Sequence, residues 1–237
     1  MISVITLTMG REKYLMDLID SIMMQNYDES RGFFEHIICF QGSEPSDDLE
    51  AFFEHISGVE YPLKTVMNET NEGIGFGLNK AKEHIHPDST LVMKADDDCV
   101  LRSPDFFEHV YAVMNELQEA VISPYPVGLI GNPGGVLSND RKVIYGEPLD
   151  TYYTLRRVNH VGGFARISPT KLFKDFDFPY DKSDTASGWE DGHFARAMVA
   201  QGIPIYYLEN ALIVEHNEST LGQHARYGEA YFGKQKI

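Results

Sequence analysis

The chain has 237 residues, of which 36 are Asp or Glu and 20 are Lys or Arg, so its formal net charge is −16. This acidic balance disfavours a nonspecific grip on nucleic acid or on an anionic membrane surface. Hydrophobic residues make up 43% of the chain and aromatic residues 12%, which excludes a disordered chain and fits one large domain or two small ones.

The sequence predicts neither a membrane span nor a secretion signal. Its apolar runs fall short of the roughly 20 residues that cross a bilayer, and the first residues follow a strand pattern without a signal-peptide cleavage site. The two cysteines, Cys39 and Cys99, fall in or beside predicted buried strands. They predict reduced core thiols in a cytoplasmic protein.

Strand and helix patterns alternate along the first part of the chain. Strands are predicted at residues 2–7, 35–40 and 63–67, and helices at 11–25 and 47–56. The first helix carries its apolar residues on one face: Leu15, Leu18, Ile19, Ile22 and Met23. This order predicts an α/β fold, in which a mostly parallel central sheet is flanked by helices and binds ligands beyond the carboxyl ends of its strands.

Polar or glycine-rich segments follow the predicted strands at 8–10, 41–43, 68–77 and 96–98. Because the carboxyl ends of parallel strands meet at one edge of a sheet, these four segments are expected to share that edge.

Three consecutive carboxylates, Asp96, Asp97 and Asp98, follow a buried strand predicted from Leu91. Adjacent carboxylates beside a core are costly unless a cation or hydrogen bonds compensate them. Mg²⁺ or Mn²⁺ takes oxygen ligands and keeps positions for waters and phosphates, so a metal site is one interpretation. The other is a solvated acidic turn, in which Asp96 or Asp98 caps the helix that begins near Ser103.

The segment from Asn71 to Ala81 opens the next helix with Gly73, Gly75 and Gly77. Glycines allow a close approach of backbone to a ligand, and the N–H groups at a helix start favour anions such as a pyrophosphate. A tight strand-to-helix connection explains the same glycines, and their spacing is not that of the dinucleotide fingerprint.

The second half is less regular. A helix is predicted from Ser103, short strands at 127–130 and 142–145, and a loop entering a strand at 156–167. The positive charges of this loop indicate either a nearby anion or local charge balancing. A helix at 189–201 and strands at 203–208 and 211–214 follow.

Trp189, Glu190 and Asp191 begin the last predicted helix. Ser187 and Glu190 fit a capping box, which is a purely structural explanation. Trp189, the single Trp, either offers a flat face on which a sugar ring can stack or is an ordinary core residue. A carboxylate at this helix start could act as a general base toward a hydroxyl. His216, after the last strand, is either a metal ligand or a surface residue.

Taken together, the motifs resemble the GT-A glycosyltransferases, specifically the large family 2 that uses nucleotide-diphosphate sugars. The resemblance covers residues 2 to 220 and is carried, in chain order, by Thr6-Leu7-Thr8-Met9-Gly10-Arg11, the N-x-G-x-x-x-x-x-N loop from Asn71 through Asn79-Lys80-Ala81, the D-x-D motif in Asp96-Asp97-Asp98, the E-D motif in Trp189-Glu190-Asp191 with Arg196, and His216.

The resemblance implies a role for each matching residue. Asp98 would hold the metal, completed by His216, and Asp96 would contact the ribose or the metal. Asp191 would deprotonate the acceptor, and Glu190 would orient the acceptor or the donor sugar. The residues implied to bind the donor are Thr8, Arg11, Asn71, Gly73, Asn79, Asp96 and Trp189.

Two departures from the family pattern affect these roles. An alternative register places Lys94 where many members carry the first Asp, which would move the metal role toward Asp97. After the second strand the family carries D-D-G-S, whose acidic residue reads the base, whereas this chain has Gln41-Gly42-Ser43. The identity of the nucleotide base is therefore left open.

The implied protein is a single GT-A domain over residues 1–237, with a nucleotide-sugar-binding half at 1–101 and an acceptor-binding half at 102–237. It is a glycosyltransferase of the hexosyltransferase type that needs Mn²⁺ or Mg²⁺ and transfers a sugar to a hydroxyl with inversion. The acceptor is a saccharide, a small molecule or a nucleic-acid base, and the −16 charge counts against the last of these. The alternatives are a sugar-phosphate nucleotidyltransferase, whose Gly-rich loop after the first strand is missing here, and a binding protein without turnover.

Overall fold

A computed structural model of the chain describes residues 1–26, 34–59, 61–127, 140–147, 149–180 and 189–216. For Tyr125, Pro126, Trp189 and His216 the backbone alone is described.

The elements of the first half alternate as the sequence predicts. In chain order they are β1 (Ile2–Thr8), α1 (Glu12–Met23), β2 (Phe34–Gln41), α2 (Asp47–Ser57), β3 (Leu63–Asn68), α3 (Ile74–Ala81), β4 (Leu91–Asp96) and β5 (Cys99–Leu101). Local chemistry explains the start of α2, because the Ser46 hydroxyl accepts a hydrogen bond from the Leu49 N–H at 3.3 Å.

The second half is richer in strands. Its elements are α4 (Phe106–Leu117), β6 (Val121–Val127), β7 (Arg141–Gly146), β8 (Thr151–Val158), β9 (Ala165–Pro169), α5 (Thr170–Asp175), α6 (Trp189–Ala200) and β10 (Ile205–His216).

The ten strands in the described part of the chain form one sheet, in the order β3-β2-β1-β4-β9-β6-β10-β8-β7, with β5 paired to β10. The four strands β3, β2, β1 and β4 are parallel, and so are β6 and β10. The other pairs are antiparallel. Helix α3 packs on β1 and β2, α1 on β5 and α4 on β7. The predicted α/β class, a mostly parallel sheet flanked by helices, is confirmed.

Several predicted strand boundaries in the second half are wrong. The strand predicted at 127–130 begins at Val121, and residues 128–130 lie outside the described part of the chain. Its prolines at 124 and 126 made this stretch look irregular, yet β10 still pairs with it. Likewise, 156–158 end strand β8 instead of starting a loop.

The two strands predicted at 203–208 and 211–214 are one strand, β10, with a register shift between Leu208 and Ile213. Ala211 has a φ of 70° at this irregularity. The side chain of Asn210 accepts from the Thr154 N–H at 2.7 Å and donates to the Tyr152 carbonyl at 2.7 Å. An amide side chain thus pairs with β8 where β10 is bulged, so a residue typical of turns lies within a strand.

Cys39 and Cys99 are free and buried, as predicted. The predicted compartment stays a prediction. Among the described helices, none is both long and apolar enough to cross a membrane.

Candidate active site

The structure brings the segments that follow the parallel strands together at one edge of the sheet, as the sequence predicts. Strands β3, β2, β1 and β4 run parallel, so their carboxyl ends and the segments that follow lie side by side. The side chain of Asn71 lies 3.3 Å from the Met9 sulfur. A Cβ at Gly42, where φ is +69°, would stand 2.8 Å from the Asn71 nitrogen. The segments after three different strands therefore contact one another.

The glycine-rich connection packs closely against its neighbours. Gly73 has a φ of 91°, and its N–H donates to the Asn71 side-chain oxygen at 2.9 Å. A Cβ at Gly75 would stand 2.2 Å from the Pro179 carbonyl oxygen, and one at Gly77 would stand 2.2 Å from the Gln41 amide nitrogen. Close packing thus accounts for Gly75 and Gly77, while contact of Gly73 with a nucleotide stays a prediction.

Asn79 fastens α3 to the segment that precedes α6. Its Nδ2 donates to the Phe178 carbonyl at 2.7 Å, and the Phe178 N–H donates to its Oδ1 at 3.0 Å. The side-chain amide is therefore engaged within the protein, and Asn79 holds α3, which follows the end of β3, against the backbone of Phe178.

Arg11 neutralises part of the aspartate cluster. Its Nη1 donates to Asp98 Oδ2 at 2.8 Å, and its Nη2 contacts Asp97 Oδ1. Both aspartate side chains are 1% exposed. Burial raises the pKa of Asp97 to about 7; Arg11 opposes this shift and Asp98 adds to it. Thr8, at the end of β1, is also buried beside this cluster.

The cluster has some features of a metal site. Asp97 Oδ2 is buried without a hydrogen-bond partner, and carboxylate oxygens suit Mg²⁺ or Mn²⁺. The backbone of His216 pairs with that of Cys99 across β10 and β5, so the backbone of this predicted ligand residue lies opposite the residue that follows Asp98. Among the described side chains, which do not include the His216 imidazole, no group of three His, Cys, Asp or Glu is arranged to hold a metal.

Lys94 connects the aspartate cluster to the predicted base. Its Nζ donates to Asp96 Oδ1 at 2.5 Å, and its side chain is 5% exposed. A Cβ at Gly163 would stand 2.4 Å from Lys94 Nζ and 2.5 Å from both carboxylate oxygens of Asp191. Lys94 and Asp191 therefore face the same point of backbone, which requires glycine there.

Asp191 itself is held by Arg166 of β9. Arg166 Nη1 donates to Asp191 Oδ1 at 2.5 Å, and Arg166 is 1% exposed. Its guanidinium carbon lies 4.2 Å from the centre of the Phe194 ring. Neither Arg166 nor Gly163 was predicted as a site residue, because their placement depends on the antiparallel register in which Lys94 faces Arg166.

Glu190 is a buried acid with an unused oxygen. It is 3% exposed, and its Oε2 has no hydrogen-bond partner. Burial raises the pKa of Glu190 and the adjacent Asp191 raises it further, while Lys94 and Arg166 oppose the shift. Burial lowers the pKa of Lys94, but the carboxylates of Asp96, Asp191 and Glu190 outweigh it and raise that pKa overall. The cations and carboxylates form one coupled cluster.

The end of β2 holds another unused polar atom. Gln41 is 4% exposed; its Nε2 donates to the Cys39 sulfur at 3.1 Å, and its Oε1 is buried without a partner. Ser43 Oγ is buried without a partner as well. The predicted stacking face of Trp189 and the Ser187 cap lie outside what the structure describes.

Solved structures of similar fold are glycosyltransferases. S. aureus TarS 1-349 in complex with UDP-GlcNAc has a TM-score of 0.66 at 21% identity, covering 100% of this chain and 61% of that one. GalNAc-T7 with UDP, GalNAc and Mn²⁺ has a TM-score of 0.69 at 14% identity, covering 93% and 44%. The mannosyltransferase PcManGT from Pyrobaculum calidifontis, with GDP-Man and Mn²⁺, has a TM-score of 0.67 at 14% identity, covering 95% and 59%.

The present chain thus spans less than two thirds of the length of these solved proteins. A search of curated proteins gives no match. The model of the family described as "Glycosyltransferase like family 2" matches residues 2–228. The chain therefore belongs to this glycosyltransferase family, and its fold is that of the GT-A glycosyltransferases.

Proposed function

We propose that the chain transfers a sugar from a nucleotide-diphosphate sugar to the hydroxyl of an acceptor, with inversion at the anomeric carbon. One observation carries this proposal. Lys94 contacts Asp96 and shares the space at Gly163 with the Asp191 carboxylate. The aspartate cluster and the Glu190–Asp191 pair are far apart in sequence but belong to one polar site, as a transferase needs for donor and acceptor.

The donor would bind at the carboxyl ends of β1 to β4. UDP, UDP-GlcNAc and GDP-Man in solved proteins of similar fold support a nucleotide-diphosphate sugar as the donor class. Candidate contacts are Thr8, Arg11, Asn71, Gly73, Asp96 and Trp189. The unpartnered Gln41 Oε1 is a candidate for contact with the base, where the family pattern has an acid. Asn79 would act indirectly by supporting this edge.

A divalent cation would be held by Asp98, with Asp96 and His216. The donor set fits Mn²⁺ or Mg²⁺, because it combines hard carboxylate oxygens with one imidazole. When bound, such a cation stabilises the negative charge that builds on the leaving diphosphate. Mn²⁺ in two solved proteins of similar fold supports this assignment.

The chain's own groups would handle the proton. Asp191 accepts the proton of the acceptor hydroxyl while the oxygen of that hydroxyl forms a bond to the anomeric carbon and the bond from that carbon to the diphosphate oxygen breaks. The bonding electrons leave with the diphosphate. Glu190 orients the sugar or the acceptor through its unpartnered Oε2. In this division of labour, residues 1–101 bind the donor and residues 102–237 the acceptor.

The test separates donor binding from transfer. The first step is a thermal-shift screen of nucleoside diphosphates and their sugars, with and without Mn²⁺. With the donor known, Asp98→Ala is expected to lose Mn²⁺-dependent nucleotide binding. Asp191→Asn is expected to abolish transfer to a panel of saccharides and small molecules while leaving nucleotide affinity nearly unchanged.

Three outcomes would contradict the proposal. A fully active Asp191→Asn variant removes this residue from the reaction. Release of pyrophosphate from a nucleoside triphosphate and a sugar phosphate identifies a nucleotidyltransferase instead. Binding of a nucleotide sugar without product in long incubations across the panel indicates a binding protein.

A further inference from the structure

Arg166 is a buried cation in the core of the site. The residue is 1% exposed, and its guanidinium carbon lies over the Phe194 ring, 4.2 Å from the ring centre, with the centre of Phe178 5.8 Å away. Its Nη1 donates to Asp191 Oδ1 at 2.5 Å, while Nε and Nη2 are buried without hydrogen-bond partners.

A buried guanidinium with two unpartnered N–H groups is expected to lower the stability of the fold, so stability does not explain its presence. Each buried N–H without a partner costs about 1–3 kcal/mol. Replacing a buried ion pair by apolar side chains of similar volume is often neutral or stabilising. Phe194 and Phe178 already lie near the Arg166 guanidinium, so an apolar residue would find apolar neighbours at this position. The guanidinium is therefore better explained by what it does to Asp191 than by packing.

A second cation stands directly opposite. Lys94 of β4 faces Arg166 of β9 in the antiparallel register, and like charges opposite each other are destabilising without compensation. The carboxylates of Asp96, Glu190 and Asp191 supply that compensation. The charged or titratable groups that interact with Asp191 are Lys94, His160, Arg166 and Glu190, and Arg196 lies near His160.

We propose that Arg166 is a positioning residue for Asp191: by donating to Oδ1 it fixes the carboxylate so that Oδ2 is directed to the acceptor hydroxyl. The proposal rests on the proposed role of Asp191 as the base. The Phe194 ring packs on the guanidinium, the guanidinium donates to the Asp191 carboxylate, and the lack of a side chain at Gly163 leaves the space that Asp191 and Lys94 occupy. Arg166 touches neither donor nor acceptor in this account.

The test compares Arg166→Met with Arg166→Lys. Arg166→Met keeps the apolar packing and removes the hydrogen bond, so kcat is expected to fall on the order of 10²-fold, as for a misplaced catalytic group. The KM for the donor and the nucleotide affinity are expected to stay the same. Arg166→Lys keeps a donor and the charge, so it is expected to recover part of kcat. It also serves as the test variant if Arg166→Met does not fold.

Arg141→Met, which removes an exposed ion pair with Glu209, is the matched control and is expected to be fully active.

The double variant decides between positioning and general damage to the fold. The comparison uses the residual transfer that Asp191→Asn leaves, measured at high enzyme concentration; in this background Arg166→Met is expected to lower the residual rate little further, because its effect acts through Asp191. A full additional loss overturns the proposal, and so does unchanged kcat in Arg166→Met. If Asp191→Asn itself is fully active, the proposed function has failed first. If only Arg166→Met is fully active, the proposed function stands and this inference alone is lost.

Discussion

Arg11 and Lys94 compensate the aspartate cluster from within the chain. Arg11 contacts Asp97 and Asp98, and Lys94 contacts Asp96, so each of the three carboxylates has a cationic partner. The sequence predicted that these adjacent carboxylates need a cation or hydrogen bonds, and the structure supplies two cations. A divalent ion at Asp98 would then compete with Arg11 for the same carboxylates.

This competition predicts an unusual effect of removing a basic residue. Arg11→Met is expected to bind Mn²⁺ more tightly than the wild type in the absence of nucleotide, by about tenfold, because no guanidinium holds the carboxylates. Titration of free Mn²⁺ by electron paramagnetic resonance measures this affinity. Arg141 lies away from the cluster, so the Mn²⁺ affinity of the control variant Arg141→Met is expected to equal that of the wild type. Unchanged or weaker Mn²⁺ binding by Arg11→Met would show that Arg11 does not compete.

At the residue scale, only some of the residues in the polar site could be predicted from the sequence. It predicts roles for Asp98, Asp191 and Glu190, because acidic residues beside apolar segments stand out locally, and these roles stay predictions. Arg166 was noted only among the positive charges of residues 156–167, and neither it nor Gly163 was predicted as a site residue, since the placement of both depends on the pairing of β4 with β9. A lysine within an apolar strand was the available signal, and it was noted only as a question of motif register.

Among the elements, α3 is fixed in place through Asn79. Asn79→Ala removes both hydrogen bonds to the backbone of Phe178, so the free energy of unfolding is expected to fall by about 2–3 kcal/mol. Urea unfolding measures it. Asn115→Ala, on the exposed side of α4, is the control and is expected to stay within about 0.5 kcal/mol. Wild-type stability in Asn79→Ala combined with lost nucleotide binding would instead indicate direct contact with the donor.

Strand β2 contains a histidine that makes stability depend on pH. His36 is fully buried, with Nδ1 2.8 Å from the Tyr61 hydroxyl and Nε2 2.9 Å from Thr6 Oγ1. Burial lowers the pKa of His36 to about 3. In the unfolded chain the pKa is about 6.5, so below that pH the unfolded state binds a proton that the folded state does not. His36 therefore contributes its full stabilisation above pH 6.5 and loses it progressively as the pH falls toward 3.

Acidification from pH 7 to pH 5 is thus expected to remove about 2 kcal/mol through His36 alone. Urea unfolding at the two pH values, compared between wild type and His36→Gln, isolates this contribution. The variant is expected to lose about 2 kcal/mol less than the wild type on acidification. His84→Gln, at an exposed position, is expected to behave like the wild type. Equal pH dependence in wild type and His36→Gln would contradict the assignment.

Element prediction succeeded where local signals agree. Helix α2 has a serine cap and β1 to β4 are short apolar runs, so their positions followed from periodicity. Strand β10 was divided in two, because Asn210 reads as a turn residue although its side chain pairs with β8. Strand β6 was misplaced because its prolines interrupt a pattern that pairing with β10 restores.

On the scale of the whole molecule, the sheet joins the two ends of the sequence. Strand β5 follows the aspartate cluster but pairs with β10, which brings the backbone of His216 to Cys99. Strand β9 pairs with β4, which brings Arg166 to Lys94. The parallel half could be predicted from the alternation of strands and helices. The antiparallel half could not, because its pairings are long-range and leave no periodic trace in the sequence.

The central claim is that a metal at the aspartate cluster lies beside the Glu190–Asp191 pair. Paramagnetic broadening of backbone amide signals by Mn²⁺, with a nucleoside diphosphate present, measures this proximity directly. We predict that the amides of Asp98, Gly163 and Asp191 broaden together, that those of Ile2 and Leu91 at the opposite ends of β1 and β4 stay sharp, and that Asp98→Ala abolishes the effect. Broadening at Asp98 with sharp signals at both Gly163 and Asp191 would contradict the account.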